Sequence, residues 1–130
     1  MSTMRSRKIL TAFIKNKRGN VLAIGKNNYE KTHPYMYSIA SRIEGRNTKK
    51  IFLHAEIDAI VKCRNLEDAY KIEIFRINKA GKYVISKPCP ICFSAILETN
   101  IEVIGYIDEN GNYVERKVQD MIKEYDITRV

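Results

Sequence analysis

A mostly apolar run over Lys8–Lys15 reads as a strand, with Ile9, Thr11, Phe13 and Lys15 on one face and Leu10, Ala12 and Ile14 on the other. Both faces are largely apolar, the pattern of a central strand covered on both sides. The stretch from Asn16 to Asn20 supplies a turn, with Gly19 able to take positive φ, and Val21–Gly25 returns as a second strand. Pro34 suits the first turn of a helix, where its missing N–H costs nothing. That helix is expected to run to about Glu44 and to bury Met36, Ile39, Ala40 and Ile43. A second helix is expected from His54 to Asn65, with Ile57, Ile60 and Val61 on its core side. Lys71–Asn78 alternates as a strand, Lys79–Gly81 turns the chain, and Tyr83–Ile85 leads into Lys87-Pro88-Cys89. A helix from Pro90 to about Thr99 and a strand over Glu102–Ile107 follow. A hairpin turn at Asp108–Gly111, a strand at Tyr113–Arg116 and a helix at Val118–Tyr125 complete the chain. The order β-β-α-α-β-α-β-β-α predicts an α/β fold: a mixed five-stranded sheet with helices on both faces, its last two strands antiparallel.

No repeat, low-complexity tract or linker interrupts this pattern, and 130 residues suit one domain spanning 1–130. No stretch reaches the roughly 18 to 20 apolar residues of a membrane span. Met1–Arg7 is basic but runs into alternating residues instead of an apolar signal core. The expectation is therefore a cytoplasmic protein, in the host cytoplasm if viral, with no membrane partner. Lys and Arg exceed Asp and Glu by 23 to 15, a net charge of +8 that favours an anionic partner such as a nucleotide or nucleic acid. Three cysteines are too few, and odd in number, for a disulfide framework, which again points to a reducing compartment.

Two of those cysteines, Cys89 and Cys92, stand three apart at a helix start, and His54 opens the preceding helix. Imidazole nitrogen and thiolate sulfur are zinc donors, and a three-ligand site keeps its fourth position for water. Cys63 does not fill that position: nine residues of helix place it roughly 13 Å from His54, so it reads as a small core residue. Glu56, two residues after His54, is close enough to take a proton from the water and return it to a leaving group. A lone Cys-x-x-Cys is as often a structural clip or a redox pair; it is the whole set that points to hydrolysis.

His54-Ala55-Glu56 followed by Pro88-Cys89-Pro90-Ile91-Cys92 resembles the cytidine deaminase superfamily, whose H-x-E and P-C-x-x-C motifs mark zinc deaminases. The resemblance implies a three-layer α-β-α cytidine-deaminase-like fold, a zinc cofactor, and assembly as a homo-oligomer. It further implies hydrolytic deamination of a cytosine nucleotide or nucleoside, with deoxycytidylate favoured by the basic surface. Gly25-Lys26-Asn27 resembles the Gly-x-Asn segment with which family members hold the sugar, so Gly25, Asn27 and Ala55 are substrate-contact candidates. Thr32-His33-Pro34 is similar to a segment of small nucleotide-metabolising deaminases, which adds His33; a helix-start role serves that histidine equally well. The Asp108–Gly111 hairpin instead resembles the free-nucleoside and blasticidin branch, so the two clues disagree on substrate. Lys26, Lys31, Arg42, Arg46, Lys49 and Lys50, with Tyr29, Tyr35 and Tyr37, leave a base-editing enzyme on a single nucleic-acid strand as the alternative. A non-catalytic zinc-stabilised binding domain is the third reading, and it gives Glu56 no role.

Overall fold

A computed structural model describes residues 9–30, 33–44 and 53–125, apart from the side chains of 37, 43 and 44. The strands are β1 (Ile9–Lys15), β2 (Val21–Lys26), β3 (Lys71–Ile77), β4 (Tyr83–Val84), β5 (Val103–Ile107) and β6 (Tyr113–Lys117). The helices are α1 (Pro34–Glu44), α2 (Ala55–Lys62), α3 (Pro90–Leu97) and α4 (Val118–Tyr125), with a 3₁₀ turn at Leu66–Asp68. The sheet order is β2-β1-β3-β5-β6, with the short β4 paired to the end of β3. Among the described residues only β3 and β5 run parallel, so the sheet is mixed, and β5 and β6 are antiparallel as the Asp108–Gly111 turn predicts.

Three hairpin turns share one local design. Asn16, Asn78 and Asp108 each accept two backbone N–H groups, from the residues two and four further on, through their side-chain Oδ1. Gly19, Gly81 and Gly111 each then take a φ between 81° and 89°, a conformation that costs a residue with a Cβ.

The core lies on the sheet face that carries Ala12, Ile14, Ile72, Ile74 and Ile104, all fully buried. Helix α2 packs against this face so closely that Gly25 opposes the backbone of Ala55 and Ala59. Helices α3 and α4 lie on the same side. Phe93 stacks on Tyr125 at 4.0 Å between ring centroids, and Glu124 pairs with Arg116, the β6 partner of Ile104. Met36, Ile39 and Ala40 bury the inner face of α1. Among the described residues these helices also pack against one another. The other face of β1 is only partly covered, and Ile9 is 58% exposed. That face is occupied by its own side chains. Phe75 packs against Phe13, Tyr83 and Tyr113, and Lys15, Lys71, Glu73 and Glu115 form a chain of ion pairs at 2.8 to 3.3 Å.

Several boundaries differ from the sequence expectation. Helix α2 stops at Lys62 because Cys63 turns extended, and Val61 faces outward instead of into the core. Cys63 is half-buried against that core, as expected of a packed thiol. Helix α3 ends at Leu97, and Thr99 bonds back to the Ile96 carbonyl through its hydroxyl.

Candidate metal and substrate site

Two helix starts meet at one end of the sheet. His54 is the residue before α2, with extended backbone (φ −82°, ψ 152°), and its carbonyl accepts the first helical bond from Asp58 N–H at 2.9 Å. Cys89 has the same place before α3 (φ −72°, ψ 167°), followed by Pro90 and, one turn on, the fully buried Cys92. Neither cap residue spends its side chain on its own helix. Both side chains are thus available to converge.

They do converge. His54 Nδ1 lies 3.2 Å from Cys92 Sγ and 3.6 Å from Cys89 Sγ. All three donor atoms fall within 4.8 Å of one another. A tetrahedral ion with zinc's bond lengths separates neighbouring nitrogen and sulfur ligands by roughly 3.5 Å, so the residues present fit zinc. Among the described residues no fourth His, Cys, Asp or Glu joins the group. Helix N-termini bring partial positive charge to the thiolates. The Cys89 thiol is pulled down to about 4, chiefly by its hydrogen bond with Cys92 and, against burial, by His54. Burial pushes the Cys92 thiol up.

Glu56 sits in the first turn of α2 and is only 3% exposed. Its Oε1 has no hydrogen-bond partner among the described residues, and burial, followed by the charge of Cys89, pushes its carboxyl pKa up. A buried carboxylate oxygen without a partner is costly unless something else fills the place. Here that place adjoins the imidazole and the two thiols.

A cavity of about 240 Å³ opens over these groups, lined by Leu10, Asn27, Tyr29, Leu53, His54, Glu56, Arg76, Ser86, Lys87 and Cys89. Asn27 is there as a wall residue, with its Oδ1 accepting the Leu10 N–H at 3.1 Å. Asp58, also buried, accepts the Lys26 N–H at 3.0 Å and so ties the end of β2 to α2 beside Asn27. The other three substrate candidates lie elsewhere. Gly25 faces α2, Ala55 is buried between the two site residues with its carbonyl against Gly25, and His33 Nδ1 accepts the Tyr35 N–H at the start of α1. Tyr35 donates to Glu98, and Arg42 pairs with the same carboxylate. The side chain of Tyr37 and residues Lys31, Thr32, Arg46, Lys49 and Lys50 lie outside the described residues. A wider hollow of about 650 Å³ beside Lys17, Glu67, Tyr70 and Asn100 does not include these groups.

Sequence reasoning missed Leu10, Leu53, Arg76, Ser86 and Lys87 as wall residues. Ser86 has no free hydroxyl, because its Oγ donates to Ile74 O and accepts from Ile107 N–H. It holds the segment leading to Pro88 between β3 and β5. Tyr125 donates to the Pro88 carbonyl from the other side.

Residues 3–107 match the family described as the cytidine and deoxycytidylate deaminase zinc-binding region, and the chain belongs to that family. Among solved structures, the fold is similar to cytidine deaminase from Burkholderia pseudomallei. The TM-score is 0.56 at 14% identity, covering 89% of this chain and 80% of that one. It is also similar to a mutant of cytidine deaminase from Mycobacterium tuberculosis, with a TM-score of 0.52 at 16% identity, covering 90% and 78%. No curated relative matches the chain by sequence.

Proposed function

We propose that residues 1–130 act as one hydrolytic zinc-dependent deaminase domain. It converts a cytosine nucleotide or nucleoside, deoxycytidylate ahead of the others, to the uracil form. The observation that carries this reading is the buried Glu56 carboxyl, whose Oε1 has no hydrogen-bond partner among the described residues, beside the His54, Cys89 and Cys92 group in the wall of a small cavity. Membership of the deaminase family supports it.

The reaction adds one water to the ring carbon that bears the amino group and releases ammonia. His54, Cys89 and Cys92 would hold a zinc ion, which would lower the pKa of a water to about 7 and so make a nucleophile available at neutral pH. Glu56 takes one proton from the attacking water and passes it to the neighbouring ring nitrogen, then takes the remaining proton of the added hydroxyl and delivers it to the departing amine, leaving a carbonyl. Its raised pKa suits this, since the carboxyl must hold a proton between the two transfers. Asn27 is the side chain in this reading that holds the sugar or base edge, since its amide group suits either. The apolar walls at Leu10 and Leu53 exclude bulk water. Assembly into a homo-oligomer and a cytoplasmic location belong to the same reading; the three free thiols support a reducing compartment, and light scattering tests the assembly.

The test is ammonia release from zinc-loaded protein across cytosine, its nucleosides and their phosphates, the adenine and guanine counterparts, and short single-stranded oligonucleotides. A cytosine mononucleotide or nucleoside is expected to turn over. Release only from oligonucleotides would replace this reading with base editing, and release from none would end it. Glu56→Ala should keep its zinc content and melting temperature while losing about 10²- to 10⁴-fold in turnover. Undiminished turnover in that variant removes Glu56 from the mechanism.

A further inference from the structure

Arg76 lies on the core face of β3, opposite Leu10 of β1 and Val84 of β4. The preceding positions on this face are Ile72 and Ile74, both fully buried, so the third in the row breaks an apolar pattern with a cation. Arg76 is half-buried, and drawing part of a cation out of water is unfavourable unless a partner meets it. Its Nε is buried without a hydrogen-bond partner, and no carboxylate pairs with Arg76 among the described residues. The contrast with Lys87, the other cation in the cavity wall, is plain. Lys87 pairs with Glu124 at 2.6 Å and lies over the Tyr125 ring. Arg76 shares the cavity with Glu56, Asn27 and Cys89.

We infer that Arg76 reads the phosphate of a nucleotide substrate and sets the preference of this cavity for phosphorylated over unphosphorylated cytosine compounds. The inference rests on the deaminase reading above and names its substrate class. A guanidinium presents a planar fork of donors that matches phosphate oxygens two at a time. At about 240 Å³ the cavity is at the small end of ligand sites. A ligand with its amidine carbon at Glu56 therefore has little of itself beyond reach of the remaining walls. Arg76 is a specificity residue in this account; proton transfer stays with Glu56.

The experiment compares wild type with Arg76→Gln and Arg76→Lys in kcat/KM for deoxycytidylate and for deoxycytidine. Arg76→Gln is expected to lose about 30- to 100-fold on the phosphorylated substrate, the value of a charge-assisted pair, while the nucleoside changes by less than about threefold. Arg76→Lys, which keeps the charge but not the fork, should fall between. If the Gln variant fails to fold by circular dichroism, the Lys variant carries the same ratio test. Equal losses on both substrates would overturn the inference in favour of a contact to the base or a structural role, and unchanged values on both would also overturn it. Calorimetric binding of the products, deoxyuridylate against deoxyuridine, separates the two proposals. Phosphate-dependent binding that disappears in Arg76→Gln supports the inference even in a protein that releases no ammonia. Turnover of cytosine compounds without that dependence supports the deaminase reading alone.

Discussion

Cys89 and Cys92 carry the same thiol, yet their surroundings treat them differently. Cys89 ionises readily because Cys92 and His54 stabilise its charge, whereas burial keeps the proton on Cys92. This environment favours ionisation of Cys89 over Cys92, and binding of a metal by both thiolates would release the remaining proton. A second contrast lies nearby at Glu124. Arg116 and Lys87 pair with it and hold its carboxyl down to about 2 from an ordinary 4.5. A depressed carboxylate stabilises the fold above its unfolded pKa, and that stability is lost as pH falls toward the folded value. Melting temperature should therefore drop as pH falls from 4.5 toward 2, and Glu124→Gln should flatten this part of the profile; an identical profile in the variant would assign the acid sensitivity to other groups. His54, Glu56, Cys89 and Cys92 were legible in the sequence because their chemistry is tied to short spacings. Arg76 and Lys87 were not, since their shared wall exists only after β1, β3 and the segment before Pro88 have met. Arg76 left one trace, a charge in the third place of the Ile72, Ile74 row.

At the scale of elements, turns were the most legible feature because their cause is local. An Asn or Asp three residues before a glycine satisfies the backbone by itself, a device that recurs three times among the described residues. Helix ends were less legible. Where α2 stops depends on how residues 63–70 return to the sheet, including the bond from Tyr70 N–H to Lys15 O. The two-residue β4 is too short to show alternation and exists because Arg76 and Ile77 offer it an edge. Gly25 shows a constraint set between elements: it lets a strand and a helix approach closely. A Cβ there would stand 2.2 Å from Ala55 O and 2.3 Å from Ala59 N, both backbone atoms that cannot rotate away. Gly25→Ala should destabilise the protein by about 3 kcal/mol in chemical denaturation, as overpacking does. It should also reduce turnover, because α2 carries His54 and Glu56 at its start. A variant with wild-type stability would show that α2 can slide without cost.

For the molecule as a whole, the class of fold followed from the order of elements, and the antiparallel last pair followed from one turn. The packing on the face away from α2 did not, because β1 carries apolar residues on both sides. Only the assembled sheet shows that Phe13, Phe75 and Tyr113 pack among themselves. The metal group joins the starts of two helices that are distant in sequence, so binding and folding draw on the same free energy. Chelation is expected to lower the melting temperature by about 5 °C or more. No shift would mean that the two helix starts hold together unaided.

The parallel pairing of β3 with β5 extends only over Lys71–Glu73 and Val103–Gly105. Past that point Ser86 bridges Ile74 and Ile107, where strand-to-strand bonds would otherwise run. The cavity thus opens beside a seam in the sheet, stitched by one small hydroxyl. A sheet zipped along its full length would be sturdier and would leave Cys89 no way in; this chain trades some of its own ladder for a doorway.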